Sequence, residues 1–234
     1  MPKSKFICEE NGLSIYQYPI LSFNDLENIY SKNIIILGNN QMPFINNFIN
    51  FVSDISYDDL FRYKSQSLKD NKIIPFSIYN IKTKDKKCFK LISFPEFNLK
   101  NSILETIISL IKIFINISSK IDYIFFICND NMAELDRYEN NILYILLNLF
   151  KETIKNNFLF LYDSELNEID NNNKEKIINC IINNTNEKLF NNPFNFMKNC
   201  EFISMNNKII FEKSENLKND WEILLKKIKK YIIK

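Results

Sequence analysis

Residues 32–52, KNIIILGNNQMPFINNFINFV, are the part of the chain whose residue types and spacing come nearest to a chemical site. An apolar run, Ile34 to Leu37, breaks at Gly38, and a helical pattern follows almost at once. Strand, turn and helix in that order form the setting of a phosphate-binding loop. In such a loop a Gly-rich backbone turns N–H groups onto phosphates, a Lys neutralises charge and a Ser or Thr holds magnesium. Counted from Gly38 in the spacing G-x-x-x-x-G-K-[ST], the second Gly falls on Pro43, the Lys on Phe44 and the hydroxyl on Ile45. Pro43 has no N–H to donate. A shift of one residue brings Asn46 near the hydroxyl position and still supplies no Lys. Gly38, Asn39, Asn40 and Gln41 remain as the backbone of a candidate loop from which the charge chemistry is missing.

Other chemistries find less support. The chain has no His, which excludes a His-dependent nucleophile or relay and removes the usual zinc constellations. Its five cysteines, Cys8, Cys88, Cys128, Cys180 and Cys200, form no CxxC pair, and their scatter and odd count suit a reducing cytosol. Cys88, Cys128 and Cys200 sit in or beside apolar runs, where a thiol acts as a small core hydrophobe. The acidic pairs Glu9-Glu10 and Asp58-Asp59 lie in polar segments with nothing to raise a pKa, and solvation is their expected role.

The elements that must position these residues follow from hydrophobic periodicity. Ile34 to Leu37 reads as a central strand buried on both faces, and Phe44, Ile45, Phe48, Ile49 and Val52 as the single apolar stripe of a helix with Pro43 in its first turn. Ile73 to Ile81 and Cys88 to Phe94, separated by the charged turn KTKDKK, read as an antiparallel hairpin at the sheet edge. Buried strands are expected at 121–128 and 157–162 and a short last strand at 201–205, with helices over 99–118, 138–151, 174–183 and 219–233. Alternation of strand and helix predicts an α/β domain: a doubly wound, mostly parallel sheet flanked by helices on both faces, with one antiparallel edge hairpin. Residues 1–31, with Tyr16 and Tyr18, are placed as an N-terminal extension packing on a single domain of residues 32–234.

At 234 residues and 46% hydrophobic content the chain has ample material for one core. Its formal net charge of +2 provides no global field for nucleic acid, which is not expected as a partner. Asn, Ile and Lys recur throughout while Gly falls to two residues, a bias that an AT-rich genome produces without selection on function, so the Asn runs are discounted as signals. The N-terminal MPKSKFICEENG carries charge on both sides of a short apolar patch, unlike a signal peptide. The apolar stretch Ile103 to Ile117 contains Lys112 and is shorter than the ~20 residues needed to span a bilayer. A soluble, cytoplasmic protein is expected.

The order of elements resembles that of P-loop GTPases, and several segments resemble the avirulence-induced-gene or immunity-associated nucleotide-binding branch, relatives of septins. ILGNNQMPFINNFIN stands where that family reads roughly ILLGxTGxGKSxxxN, with Gly38 keeping the first position. LISFPEFN, Leu91 to Asn98, stands at a DTPGF-type motif: Pro95 and Phe97 agree, while Ser93 replaces the Asp and Glu96 the Gly. The stretch from Ile121 to Asp163 is similar to the family's strand, hydrophobic box and following helix, and FISMNNKIIF, Phe202 to Phe211, to its FNNSAxF segment, with Trp221 where a Trp often follows. The similarity covers roughly residues 32–232.

The resemblance implies a guanine-nucleotide site, and its departures imply the loss of that site's chemistry. Ser93 removes the outer-shell magnesium contact, and Glu96 puts a carboxylate where a γ-phosphate would sit. The base motif T/N-x-x-D reads Tyr162-Asp163-Ser164-Glu165, leaving Asp163 or Glu165 to accept guanine N–H groups, and the Asn206-Asn207 pair corresponds to residues near the base. Ser93, Glu96, Asp163, Glu165, Asn206 and Asn207 thus join Gly38 to Gln41 as a vestigial nucleotide site with no catalytic residue. The expectation is a pseudo-GTPase scaffold that binds a protein partner or a second copy and needs no cofactor. The alternative is a divergent GTPase that holds GTP or GDP with magnesium and turns it over weakly. The C-terminal helix NDWEILLKKIKKYIIK gathers Trp221, Leu224, Leu225, Ile228 and Ile232 on one face, with Lys226, Lys227, Lys229 and Lys230 elsewhere. A packed last helix is expected there, and a membrane-peripheral adaptor is the third reading.

Overall fold

A run of β-branched and leucine side chains with no polar interruption suits a strand covered on both faces. Such a strand, β3 (Lys32–Gly38), lies at the centre of the computed structural model, with Ile34 to Leu37 fully buried. The structure describes residues 4–20, 32–38, 41–65, 77–85, 87–94, 121–128, 157–163, 202–205 and 218–223, with single positions at 108, 111, 172, 175, 176, 179 and 226.

Around β3 is a six-stranded sheet built with β5 (Ser77–Lys82), β6 (Cys88–Ser93), β7 (Ile121–Cys128), β8 (Phe158–Asp163) and β9 (Phe202–Met205), in the spatial order β5-β6-β3-β7-β8-β9. Every pairing is parallel except β5 with β6, the expected antiparallel edge hairpin. From β3 the main sheet continues at the edge strand β5 and returns through β6 to one flank of β3, then runs outward on the other flank through β7, β8 and β9, so the doubly wound order has its switch point at β3. Alternation divides the sheet's side chains between two covered faces. Ile34, Ile36, Leu91, Phe125 and Ile127 join one core cluster with helix α1 (Gln41–Val52), while Ile35, Leu37, Ile92, Ile124 and Phe126 are buried on the opposite face. The helices expected at 138–151 and over most of 99–118, 174–183 and 219–233 lie outside the described residues.

Two features depart from the sequence reading. The first is a second sheet of β1 (Lys5–Glu10), β2 (Leu13–Gln17) and β4 (Phe61–Lys64), ordered β1-β2-β4. Residues 5–17, read only as an extension, form a hairpin on Asn11-Gly12, whose positive φ values of 52° and 74° are those of a tight type I′ turn. Tyr18 then ties the hairpin to both sheets: its N–H donates to Lys64 O at 2.8 Å and its hydroxyl to Asn80 O, on the edge strand β5, at 2.7 Å.

The second is α1, which is buried nearly all round rather than along one stripe. Asn46, Asn47 and Asn50 are inside, and two of them hold β4. Asn46 Oδ1 accepts from the N–H and hydroxyl of Ser65 at 2.7 and 2.6 Å. Asn50 exchanges two bonds with the backbone of Tyr63. A side-chain amide carries both a donor and an acceptor, as a peptide unit does, so it can stand in for a neighbouring strand. Asn46 and Asn50 are thus structural residues, although the Asn-rich composition gives them no distinguishing signal in sequence.

Behind β4, Arg62 is fully buried and donates to the carbonyls of Asp59, Phe61 and Tyr57 at 2.8, 2.8 and 2.7 Å and of Ser56 at 3.3 Å. Its guanidinium carbon lies 4.9 Å from the ring centre of Trp221, which also meets Phe51 edge-on at 4.5 Å. Burial pulls the Arg62 pKa below its ordinary value, and the Asp59 carboxylate pulls it back up. Trp221 is thus core, and the helical residues 218–223 are docked through it.

Candidate functional site

In doubly wound sheets ligands bind beyond the carboxyl ends of the strands at the switch point. Here that place is formed by the ends of β3, β6 and β7. Gly38 closes β3 with φ +103°, a conformation that L side chains rarely adopt. A Cβ at this position would stand 2.2 Å from Ile127 O on β7, so glycine is required by the close approach of two strands whatever else the loop does.

Helix α1 begins only three residues later, at Gln41. The Gln41 side chain is 2% exposed and turns back into the crevice. Its amide N–H groups donate to Gly38 O at 2.7 Å and Phe94 O at 2.9 Å, and its Oε1 accepts from the Ser93 hydroxyl at 2.8 Å. One side chain thereby clamps the end of β3 to the end of β6 and engages Ser93. Phe94 N–H continues the ladder to Ile36 O at 3.3 Å.

The positions that would carry phosphate chemistry serve the core instead. Phe44, at the Lys position, is buried and packs edge-on against Phe125 of β7 at 5.7 Å. Ile45, at the hydroxyl position, is fully buried, and Asn46 is committed to Ser65. Of the predicted site residues the structure brings together Gly38, Gln41 and Ser93. Asp163, just past the strand expected at 157–162, is the last residue of β8, opposite Met205 of β9. Asn39, Asn40, Glu96, Glu165, Asn206 and Asn207 lie outside the described residues.

In sequence Gln41 reads like the other positions of the candidate loop, and its clamping role is visible only in the structure. The signal present was a residue with a long amide, three positions after a strand-ending Gly at the first turn of a helix, within reach of that Gly's carbonyl.

The acidic pair at 58–59 also has more than a solvated role. Asp59 Oδ2 accepts from Ser56 N–H at 2.7 Å, closing a turn, and Asp58 meets Lys218 Nζ at 2.9 Å. Lys226 is helical and exposed; Lys227, Lys229 and Lys230 lie outside the described residues. Among the described residues no helix is long and apolar enough to cross a membrane. Cys8 is exposed and Cys88 half-buried. A cleft of about 700 Å³ opens at the other end of the sheet, between the C-terminal end of α1 and the β5–β6 turn, lined by Tyr18, Ile55, Phe61, Tyr63, Lys82 and Lys84 among others.

This strand order, with its antiparallel edge and its glycine-ended central strand, is that of the P-loop GTPases, and the chain has a P-loop GTPase-like α/β fold. Solved structures agree. The chain is similar to the chloroplast translocon components Toc33 and Toc159, described as having GTPase activity for which dimerization is important: TM-score 0.54, 11% identity, covering 85% of this chain and 83% of that one. It is similar again to a dimerization-deficient mutant of Toc33 from Arabidopsis thaliana, with TM-score 0.52, 11% identity and coverage of 86% and 84%. At the sequence level no family model and no curated protein matches the chain.

Proposed function

We propose that this chain is a GTPase-like domain that has exchanged nucleotide chemistry for a fixed structure and acts as a protein-interaction module. The observation that carries this reading is the Gln41 side chain, buried in the crevice at the switch point and bonded to Gly38, Phe94 and Ser93. In a nucleotide-driven switch the loop after the counterpart of β6 responds to the γ-phosphate and its magnesium. Here the end of that strand is held to β3 by an amide that belongs to the chain, so its position does not depend on a ligand. The aromatic at the Lys position, the apolar residue at the hydroxyl position and Pro43 support the same reading, in which neither GTP, GDP nor magnesium is needed.

The rival reading, a divergent GTP-binding protein with weak turnover, draws on one observation: the strand, left-handed Gly38 and helix N-terminus of a phosphate site persist in order. Titrating the purified chain with fluorescent GTP and GDP, with and without magnesium, and analysing the denatured protein for co-purified nucleotide, separates the two. Absence of both bound and titratable nucleotide is the expected result. Magnesium-dependent binding at micromolar affinity would sink the proposal.

A further inference from the structure

Strand β1 ends the three-stranded sheet, and all six of its residues are exposed, including Phe6 at 51% and Ile7 at 47%. Phe6 is also the outer end of an aromatic series that crosses the sheet. It meets Tyr16 at 5.7 Å, Tyr16 meets Phe61 at 6.4 Å, and Phe61 meets Tyr63 at 5.8 Å, all edge-on. A free strand edge with apolar side chains is a template for another strand, and proteins normally blunt it with charges and bulges. This edge carries both devices, and together they select one pairing.

The pairing register runs Lys5↔Gln17 and Phe6↔Tyr16, then Cys8↔Ile15, Glu9↔Ser14 and Glu10↔Leu13, so Ile7 is the extra residue of a bulge. The bulge changes the side-chain phase. Lys5, Cys8 and Glu10 share the face of Leu13, Ile15 and Gln17, while Phe6 and Glu9 share that of Ser14 and Tyr16. The strand KFICEE is positive at its start and negative at its end. Laid antiparallel against itself about a two-fold axis between Ile7 and Cys8, it sets Lys5 opposite Glu10, Phe6 opposite Glu9 and Ile7 opposite Cys8. Each opposed pair of known phase shares a face because both strands carry the bulge. A parallel arrangement would instead oppose like charges at both ends.

We infer that β1 is the homotypic docking edge of this protein: the β1 strands of two copies pair antiparallel, joining two three-stranded sheets into one of six. The inference rests on the reading of the chain as an interaction module and names its partner, a second copy. Six residues a side make a small interface, so the dimer forms and dissociates at roughly tens of micromolar.

Sedimentation across a concentration series, with parallel cross-linking of Cys8 by a short bismaleimide, tests it on the full chain. A reversible dimer is expected, with a cross-link that Cys8→Ser abolishes. Lys5→Glu and Glu10→Lys should each weaken the dimer about tenfold, since each opposes like charges twice across the axis, and the double swap should restore it. Both positions are exposed, so circular dichroism should be unchanged in every variant. A monomer at every concentration overturns the inference, and so does a dimer indifferent to either single swap. Nucleotide titration decides the crevice reading separately, because neither result depends on the other.

Discussion

Asn50 and Tyr63 exchange a complete pair of hydrogen bonds: Asn50 Nδ2 donates to Tyr63 O at 2.7 Å, and Tyr63 N–H donates to Asn50 Oδ1 at 2.8 Å. A helix side chain thereby takes the place of a strand neighbour for β4. The three-stranded sheet is joined to the main domain through this contact, through Asn46 with Ser65, and through Tyr18.

Replacing Asn50 by Leu keeps the volume and removes both groups, leaving the N–H and C=O of Tyr63 buried and unpaired. Such orphaned groups cost about 1–3 kcal/mol each, so Asn50→Leu should lower unfolding stability by roughly 3 kcal/mol. Urea denaturation measures the loss. Hydrogen exchange at the Tyr63 amide should quicken beyond what the global change accounts for, and an unchanged exchange rate would show that the amide pair does not hold β4.

Gln41→Glu removes the amide that donates to Gly38 O and Phe94 O and places a carboxylate against two carbonyl oxygens. The expected cost at neutral pH is about 2–4 kcal/mol. The sign of its pH dependence follows from charge. Repulsion raises the carboxyl pKa in the folded chain, so the variant should recover part of the difference from the parent as pH falls through that raised value toward the ordinary Glu pKa of about 4.3, where a protonated Glu can donate again. A constant difference between variant and parent across that range would contradict the clamp.

Burial pushes the Tyr79 hydroxyl up to about 12, against the smaller opposing effect of hydrogen bonding with Ser77 and Ser65. Burial, followed by the neighbouring Tyr63 and Cys88, also raises Tyr18. Both side chains hold their protons in the folded chain at a pH where the unfolded chain has lost them. The stability this represents is complete below about pH 10 and disappears as pH rises through the folded values. Stability should thus be flat up to about pH 10 and fall above it, with Tyr79 alone accounting for roughly 2 kcal/mol by pH 12. Tyrosinate absorbance followed together with circular dichroism checks this: a fraction of the tyrosines should ionise only as the fold is lost.

The main sheet was legible in the sequence because β3, β7 and β8 are buried on both faces and each contains an unbroken apolar run, Ile34 to Leu37, Tyr123 to Cys128 and Phe158 to Tyr162, with Gly38 and the KTKDKK turn marking two boundaries. The small sheet was not. Its β1 is wholly exposed, and its β4 reads FRYK, with a buried Arg62 where a strand pattern would show an apolar residue. The partners that make Arg62 tolerable are backbone carbonyls and a Trp distant in sequence, which no local pattern displays. Asn11-Gly12 is the one local signal of the hairpin, the dipeptide that a two-residue type I′ turn favours. At the site, sequence spacing showed which phosphate ligands are missing but not that Gln41 fills the crevice, because its partner Phe94 O is 53 positions away.

The chain's single Trp sits against Arg62, Phe51 and Tyr57, where the docked helical residues 218–223 meet the segment leading into β4. Its indole is therefore a native optical gauge of that seam. Any event that lifts the helical segment away, or lets water reach the guanidinium, will change Trp221 emission while leaving the six-stranded sheet intact. Loosening of the C-terminal region can thus be told apart from global unfolding without attaching a label.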